Sequence, residues 1–195
     1  MINKIQKLLY PLMMGILLGF TSLNLSSFAM EDEGLPKGKF LIKSAYSGEF
    51  LYDHNTGEFA WIHARKSVSK ESVFTMEKRD EGILIKNLST GNYLYSNDLS
   101  NRQSCASNRE ADKLSFNFRT ILGHRNIKSN SYFDIIKRNN EYVIKSKRHS
   151  DYVFIGPVMP GQGWCFDRDG PYVIANNSIN DTSYFTFIPY NFDLF

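Results

Sequence analysis

An internal triplication constrains the fold of this chain more than any single motif does. Three segments share one pattern, in which two runs of apolar and aromatic residues flank a short polar link. They read FLIKSAYSGEFLY at 40–52, ILIKNLSTGNYLY at 83–95 and YVIKSKRHSDYVF at 142–154. Short apolar runs separated by Gly, Asn, Asp and Ser are typical of strands and turns, so the chain is predicted to be all-β and built from equivalent units.

The repeat extends beyond these segments. The runs SVFTM at 72–76, SYFDI at 131–135 and SYFTF at 183–187 are mutual copies. Before them stand three further apolar runs, FAWI at 59–62, TIL at 120–122 and YVIA at 172–175. Each unit therefore holds four predicted strands, and three units make twelve strands.

Twelve strands in three equivalent units are the plan of a β-trefoil with pseudo-threefold symmetry. We expect the first and fourth strands of each unit to form a six-stranded barrel, and the second and third strands to pair as hairpins that cap one end. Closure of the barrel removes exposed strand edges. The predicted core residues are Phe40, Ile42, Phe74, Leu84, Phe133, Val143 and Phe185.

The N-terminal segment is typical of a secretory signal. Lys4 and Lys7 precede an apolar run, and small residues stand before the predicted cleavage site at Ala29. We therefore expect a secreted or extracellular protein, which would be periplasmic in a Gram-negative bacterium without further export. The predicted divisions are a signal peptide at 1–29, a flexible leader at 30–39 and a β-trefoil domain at 40–195, with repeats at about 40–79, 80–138 and 139–195.

The charge balance argues against a nucleic-acid partner. The predicted signal holds two of the 23 Lys and Arg residues and none of the 20 Asp and Glu residues. The mature chain therefore keeps 21 basic and 20 acidic side chains, a net charge of +1. Basic residues such as Lys147 and Arg148 are scattered among acidic ones, which favours a solvated surface. No second apolar run is long enough to span a bilayer.

The units differ most between their second and third strands. This connection is short at 53–58 but expands to roughly 96–119 in the second unit and 156–171 in the third. One cysteine lies in each expansion, Cys105 and Cys165, and an even pair in an exported chain predicts a disulfide. Because both expansions leave from equivalent hairpins, this bridge is spatially sensible.

The third expansion, GPVMPGQGWCFDRDGP, carries the main candidate ligand residues, Trp164, Phe166, Asp167 and Arg168. An aromatic ring beside carboxylate and guanidinium groups suits the apolar face and the hydroxyls of a sugar. The same set suits a protein hot spot. A third interpretation is that Trp164 and Phe166 only cover the disulfide. Trp61 lies inside a repeat strand, where packing is the expected role.

No local catalytic signature occurs in the chain. It has no H-E-x-x-H, paired C-x-x-C, G-x-S-x-G or Walker loop, and its four histidines stand in four separate segments. We therefore expect a protein that is not an enzyme, with no catalytic residues, no cofactor and no metal.

The pattern in IKSAYSGEFL and IKNLSTGNYL resembles β-trefoil proteins of the ricin B-chain and fascin-like kind. Ricin-type lectins carry Q-x-W near the end of each unit, whereas the three S-x-F runs of this chain keep only an aromatic residue. The resemblance also points to Asp53 and Asn55, because lectin trefoils often place an acidic sugar ligand after the second strand. A tight turn is the alternative for these two residues.

Together these observations predict a secreted, non-catalytic binding module that recognises a glycan or a cell-surface receptor, for example as a receptor-binding toxin subunit or host-interaction factor. The alternative is a protein ligand or protease inhibitor that acts through an expanded loop. We expect a monomer or a member of a hetero-complex, without a membrane span in the mature chain.

Overall fold

The computed structural model describes residues 35–54, 60–100, 119–156, 166–167 and 170–191, with side chains left out at 99–100, 166–167 and 170. All of these residues belong to one compact unit, Leu35–Phe195. Among them, no helix has the length and apolar character needed to cross a bilayer.

Fourteen strands make up the described part of the chain, and twelve of them form one sheet. In chain order they are β1 (Phe40–Ser44), β2 (Phe50–Asp53), β3 (Ala60–Arg65), β4 (Val73–Arg79), β5 (Gly82–Asn87), β6 (Tyr93–Ser100), β7 (Arg119–His124), β8 (Tyr132–Arg138), β9 (Glu141–Ser146), β10 (Tyr152–Ile155), β11 (Phe166–Asp167), β12 (Gly170–Pro171), β13 (Val173–Asn176) and β14 (Tyr184–Pro189).

Six strands close into a barrel. β1 pairs with β4, β4 with β5, β5 with β8, β8 with β9, β9 with β14, and β14 with β1, all antiparallel. These are the first and fourth strands of the three units, as the repeat predicts. The prediction of an all-β, twelve-strand fold with three four-stranded units is confirmed.

The second and third strands of each unit pair as hairpins, β2 with β3, β6 with β7, and β10 with β13. The third strands also contact one another around the pseudo-threefold axis. Trp61 pairs with Leu122, Thr120 with Ile174, and Tyr172 with His63. The three pairings join equivalent positions of successive units, so residues 61, 120 and 172 are counterparts, and so are residues 63, 122 and 174.

The hydrophobic core fills the barrel and the inner face of the hairpins. All seven residues predicted for the core are fully buried. Phe74, Phe133 and Phe185, the aromatic residues of the three S-x-F runs, belong to this core. Burial of one such side chain stabilises the fold by about 1.5–3 kcal/mol, so the repeated Phe contributes strongly to the stability of each unit.

The first two strands of each unit are joined by the same turn. Ser44, Asn87 and Ser146 are buried and each donates its backbone N–H to a carbonyl five residues ahead, at 2.8 Å in all three turns. The turn ends in the left-handed region, with φ of 72° at Gly48, 75° at Gly91 and 58° at Ser150. The third unit therefore places a serine where the other two use glycine.

The serine of each S-x-F run closes a short turn before the fourth strand. Ser72, Ser131 and Ser183 are fully buried, and each donates its backbone N–H to a carbonyl three residues back at 3.0 Å. Each hydroxyl accepts a backbone N–H in return, at distances of 3.4, 3.1 and 3.1 Å. This serine is thus a structural residue, because it satisfies a backbone donor at the start of the fourth strand.

The lysine of each I-K pair covers an aromatic ring of the following strand. Lys43 Nζ lies 5.7 Å from the centroid of Phe50, Lys86 Nζ 5.1 Å from that of Tyr93, and Lys145 Nζ 5.5 Å from that of Tyr152. A cation over a ring face at a partly exposed site contributes about 0.5–1 kcal/mol. The repeated lysine therefore has a packing role that the sequence pattern alone does not show.

Candidate functional site

Two of the four ligand residues predicted from the third expansion, Trp164 and Arg168, lie outside the described residues. Asn55, Cys105 and Cys165 also lie outside them, so the ligand roles and the disulfide stay predictions. Phe166 and Asp167 form the backbone of β11, which pairs with β12 through Phe166 with Pro171 and Asp167 with Gly170. The third expansion therefore contains a short hairpin of its own, which leads directly into Tyr172.

Asp53 ends β2, and its side chain is fully buried. Its Oδ2 accepts hydrogen bonds from Thr90 Oγ1 at 2.6 Å and from Asn92 Nδ2 at 2.9 Å. The same oxygen lies 2.9 Å from the position that a Cβ at residue 123 would occupy, so the glycine there makes room for the carboxylate. These contacts tie the first unit to the second, which is a scaffold role. A role of Asp53 in ligand binding stays a prediction.

An aromatic cluster lies where the third strands of the first and third units meet. We define the aromatic cluster as Tyr52, His54, Trp61, His63 and Tyr172. The rings of Trp61 and Tyr172 are 4.7 Å apart at an angle of 42°, and His63 lies 4.8 Å from Tyr172. A contact of this kind between two rings contributes about 0.5–1.5 kcal/mol beyond the area that it buries.

Exposure differs across the aromatic cluster. Tyr52 and His63 are buried, at 1% and 2% exposure. Trp61 and Tyr172 are half-buried, and His54 is exposed. The ring of His54 lies 6.1 Å from Tyr52 and 6.4 Å from His63. The aromatic cluster thus presents two partly accessible apolar rings beside an imidazole, on a buried aromatic base. Trp61 is not part of the buried core, which differs from the packing role expected for it.

The aromatic cluster is a departure from the threefold repeat. The counterpart of Trp61 and Tyr172 in the second unit is Thr120, and the counterparts of His63 are Leu122 and Ile174. The strand pairings make Trp61 and Tyr172 counterparts, whereas the contact between their rings depends on the packing of the hairpins around one axis. The sequence does not predict that His63 joins the aromatic cluster, because its position in the strand is one that the other units fill with apolar residues.

An ionic cluster anchors both ends of the second expansion to the third unit. Arg119 Nε lies 2.8 Å from Asp151 Oδ2, and Arg119 Nη1 donates to the carbonyl of Asp98 at 2.7 Å. His149 Nε2 lies 3.0 Å from Asp98 Oδ1. Burial lowers the pKa of His149 and the nearby Arg119 lowers it further, while Asp98 and Asp151 act in the opposite direction. The neutral imidazole is thereby favoured at neutral pH.

Within the described part of the chain, no group of three or more His, Cys, Asp or Glu side chains has the proximity that a metal site requires. The histidines of the aromatic cluster, His54 and His63, face aromatic rings.

Comparison with known proteins identifies the fold. The chain matches no protein-family model and no curated protein. Among solved structures it is similar to the designed threefold-symmetric protein ThreeFoil, with 12% identity, a TM-score of 0.59 and coverage of 79% of this chain and 100% of that one. It is also similar to the Rhizoctonia solani agglutinin, with 18% identity, a TM-score of 0.58 and coverage of 79% and 96%.

A third similar structure is SeviL bound to asialo-GM1 saccharide, with 9% identity, a TM-score of 0.51 and coverage of 78% of this chain and 98% of that one. At these identities the likeness shows the fold alone. The closed barrel, the three hairpins and these neighbours together define the β-trefoil fold that the repeats predict. No particular family is assigned.

Proposed function

We propose that this protein is a secreted, non-catalytic carbohydrate-binding module, and that a sugar ring stacks on the Trp61 and Tyr172 side of the aromatic cluster. The observation that carries the proposal is the half-buried pair itself, 4.7 Å between ring centroids, at a place where the threefold repeat breaks. Repeated positions build the scaffold, whereas positions that differ between copies are free to serve a ligand.

The physical basis is the amphipathic nature of a sugar. Its C–H face is apolar and suits an indole or phenol ring, while its hydroxyls require hydrogen-bonding groups at the edge. His54 is the exposed member of the aromatic cluster, and its ring lies 6.1 Å from that of Tyr52. Buried Tyr52 and His63 support the rings from behind, so little side-chain entropy is lost on binding.

Two residues predicted from the sequence stand close along the chain to members of the aromatic cluster. Asn55 follows His54 directly, and Arg168 precedes Tyr172 by four residues. We propose that Trp164, Phe166, Asp167 and Arg168 extend the sugar site from the third expansion. Two of the similar structures support the carbohydrate class, since one is named an agglutinin and another is bound to a saccharide. Secretion is supported by the N-terminal sequence.

A glycan array with the mature chain tests the proposal. We expect binding to a subset of glycans, and a loss of at least about tenfold in affinity for Trp61→Ala and Tyr172→Ala. Trp164→Ala should also weaken binding while leaving the thermal midpoint nearly unchanged, if the third expansion contributes as proposed.

The matched control is Tyr142→Ala. Tyr142 and Phe187 form another half-buried ring pair, at 4.9 Å and 55°, on barrel strands outside the aromatic cluster. This variant should lose similar packing but keep glycan binding. Absence of binding to every glycan by the wild-type protein would overturn the proposal, and so would an equal loss of affinity in the control.

A further inference from the structure

A cleft of about 440 Å³ lies between the second and third units. We call it the cationic cleft and define it by the residues that line it, which are Glu81, Ile127, Lys128, Ser129, Tyr132, Lys147 and Arg148. They come from the turn between β4 and β5, the approach to β8, and the turn between β9 and β10. A volume in this range is sufficient for a sugar-sized molecule. The cationic cleft shares no residue with the aromatic cluster.

Positive charge dominates the cationic cleft. Lys128, Lys147 and Arg148 stand against one lining carboxylate, Glu81. Lys147 Nζ also forms a half-exposed ion pair with Asp134 at 3.3 Å, which leaves an excess of one positive charge when both carboxylates are counted. Arg148 is exposed and makes no hydrogen bond or ion pair with the described residues. A free guanidinium at the edge of a cleft suits a planar or tetrahedral anion, which it can bind through two N–H groups.

The charge is a departure from the threefold repeat. Alignment of the β1–β2, β5–β6 and β9–β10 turns shows that Lys147 and Arg148 of the third unit correspond to Ala45 and Tyr46 of the first unit. The same two positions are Leu88 and Ser89 in the second unit.

The third cation departs from the repeat in the same way. The residue three before the S-x-F serine is Lys128 in the second unit, but Ser69 and Asn180 in the other two. Of the three equivalent places between units, only this one gathers three cations. A scaffold role does not explain this difference, since the same backbone forms without the cations at the other two.

The backbone beneath the cations is held by hydrogen bonds. Lys128 N–H donates to Ser131 Oγ at 3.1 Å, and Lys147 N–H donates to the carbonyl of Tyr132 at 3.0 Å. Lys128 Nζ lies 4.8 Å from the ring centroid of Tyr95, which holds the ammonium group in place. The stem of Lys147 lies 3.3 Å from the position that a Cβ at residue 82 would occupy, so Gly82 makes room for it. Binding therefore costs little backbone reorganisation.

The walls of the cationic cleft are mixed in character. Ile127 is 43% exposed and Tyr132 is half-buried, so both offer apolar surface to a ring. Glu81 is exposed and can accept a hydrogen bond from a hydroxyl. We propose that the cationic cleft is a second binding site, separate from the aromatic cluster, for a sugar that carries a sulfate, phosphate or carboxylate group. The proposal does not rest on the function proposed for the aromatic cluster.

The test is an NMR titration of the mature protein that follows backbone amides. The probes are N-acetylglucosamine 6-sulfate, N-acetylglucosamine 6-phosphate and glucuronic acid, with neutral N-acetylglucosamine and inorganic sulfate as comparisons. We expect the acidic sugars to shift the amides of Ile127, Lys147 and Arg148. Affinity for them should exceed that for inorganic sulfate and for the neutral sugar by at least about tenfold.

The variant K128N/K147A/R148Y removes the charge with residues that this chain already uses at the equivalent place between the third and first units, Asn180, Ala45 and Tyr46. It should fold, and it should bind the acidic sugars at least about tenfold more weakly. The control K37Q/K66Q/K70Q removes three exposed positive charges elsewhere and should bind as the wild type does. If the triple variant fails to fold, the affinity of Arg148→Tyr for the acidic sugars is measured instead, and we expect it to be weaker than that of the wild type.

Several outcomes would overturn the second site. The first is that no acidic sugar shifts the amides at about 10 mM. The second is that both triple variants lose the same affinity, and the third is that the protein binds sulfate ion as tightly as the sulfated sugar. Binding of neutral glycans on the array depends on the aromatic cluster and should be unchanged in K128N/K147A/R148Y, so failure of one proposal is distinguishable from failure of the other.

Discussion

Asp53 Oδ2 accepts a 2.6 Å hydrogen bond from Thr90 Oγ1, although 37 residues separate the two along the chain. The contact joins the end of β2 in the first unit to the turn between β5 and β6 in the second. Asn92 Nδ2 donates to the same oxygen at 2.9 Å. The carboxylate thus adds two side-chain hydrogen bonds to the strand pairing and apolar packing that join these units.

Replacement of Asp53 by alanine should lower the free energy of unfolding by about 3 kcal/mol, because the part-buried hydroxyl of Thr90 and the buried amide of Asn92 lose their acceptor. Urea unfolding measures this change. Ser96 is the control, since it holds the equivalent place in β6 and is also buried. Its Oγ has no hydrogen-bond partner in the described part of the chain, so Ser96→Ala should cost less than about 1 kcal/mol. A comparable loss in both variants would contradict a linking role for Asp53.

Ser150→Gly should stabilise the protein by about 0.5 kcal/mol. Ser150 has a φ of 58°, and its two counterparts are Gly48 and Gly91. A left-handed conformation costs a non-glycine residue about 1–2 kcal/mol, part of which is offset by the greater freedom of glycine in the unfolded chain.

The reverse change, Gly91→Ala, should destabilise by about 0.5–1 kcal/mol, because φ is 75° there and a Cβ meets no heavy atom within 4 Å. Thermal or urea unfolding of both variants checks the opposite signs. Changes of the same sign would show that turn conformation is not the cause.

The stability of the fold should decrease between pH 7 and pH 5 partly through His149. Burial and the nearby Arg119 lower the pKa of His149 in the folded state, and Asp98 and Asp151 raise it by less. The folded protein therefore favours the neutral ring. The contribution of neutral His149 to stability is therefore fully present above the pKa of the unfolded state, about 6.5, and is lost as the pH falls below that pKa.

Thermal midpoints of the wild type and of His149→Gln at several pH values between 7.5 and 5 measure this effect. The wild type should lose more stability than the variant over that interval. Parallel curves for the two proteins would show that His149 does not contribute to the acid response.

Ser183→Ala should cost about 1–2 kcal/mol, because the backbone N–H of Asn180 loses the hydroxyl that it donates to at 3.1 Å. Ser72→Ala is the comparison within the same repeat. Its hydroxyl accepts from Ser69 at 3.4 Å, so its removal should cost less. Urea unfolding ranks the two variants, and a larger loss for Ser72→Ala would contradict the structural role assigned to the serine of the S-x-F runs.

Much of the scaffold was predictable from the repeats, and the reason is local. The turns that contain Gly48 and Gly91 and the aromatic residues of the S-x-F runs are defined by neighbours within a few positions, so copies of the sequence give copies of the structure. The serine turn at Ser183 is equally local, although the pattern alone does not assign its hydroxyl to a backbone donor. The packing of Lys43 on Phe50 was not expected, because it depends on strand pairing.

The candidate site was predictable only in part. Asp53 was identified as a candidate because it follows the second strand, yet the structure buries it against Thr90 and Asn92, which stand in the next unit. Trp61 was expected to pack in the core, and it lies half-buried against Tyr172 instead. Both differences arise from contacts between units, which no spacing within one unit reveals.

By itself the sequence determined the number of units, the order of the strands and the aromatic residues that fill the barrel, because strand periodicity and turn chemistry act over short distances along the chain. Only the tertiary structure decided which departures from the repeat meet. Trp61 contacts Tyr172 across 111 positions of the chain, and Lys128 joins Lys147 and Arg148 at one cleft, because closure of the barrel around its axis places equivalent ends of different units side by side.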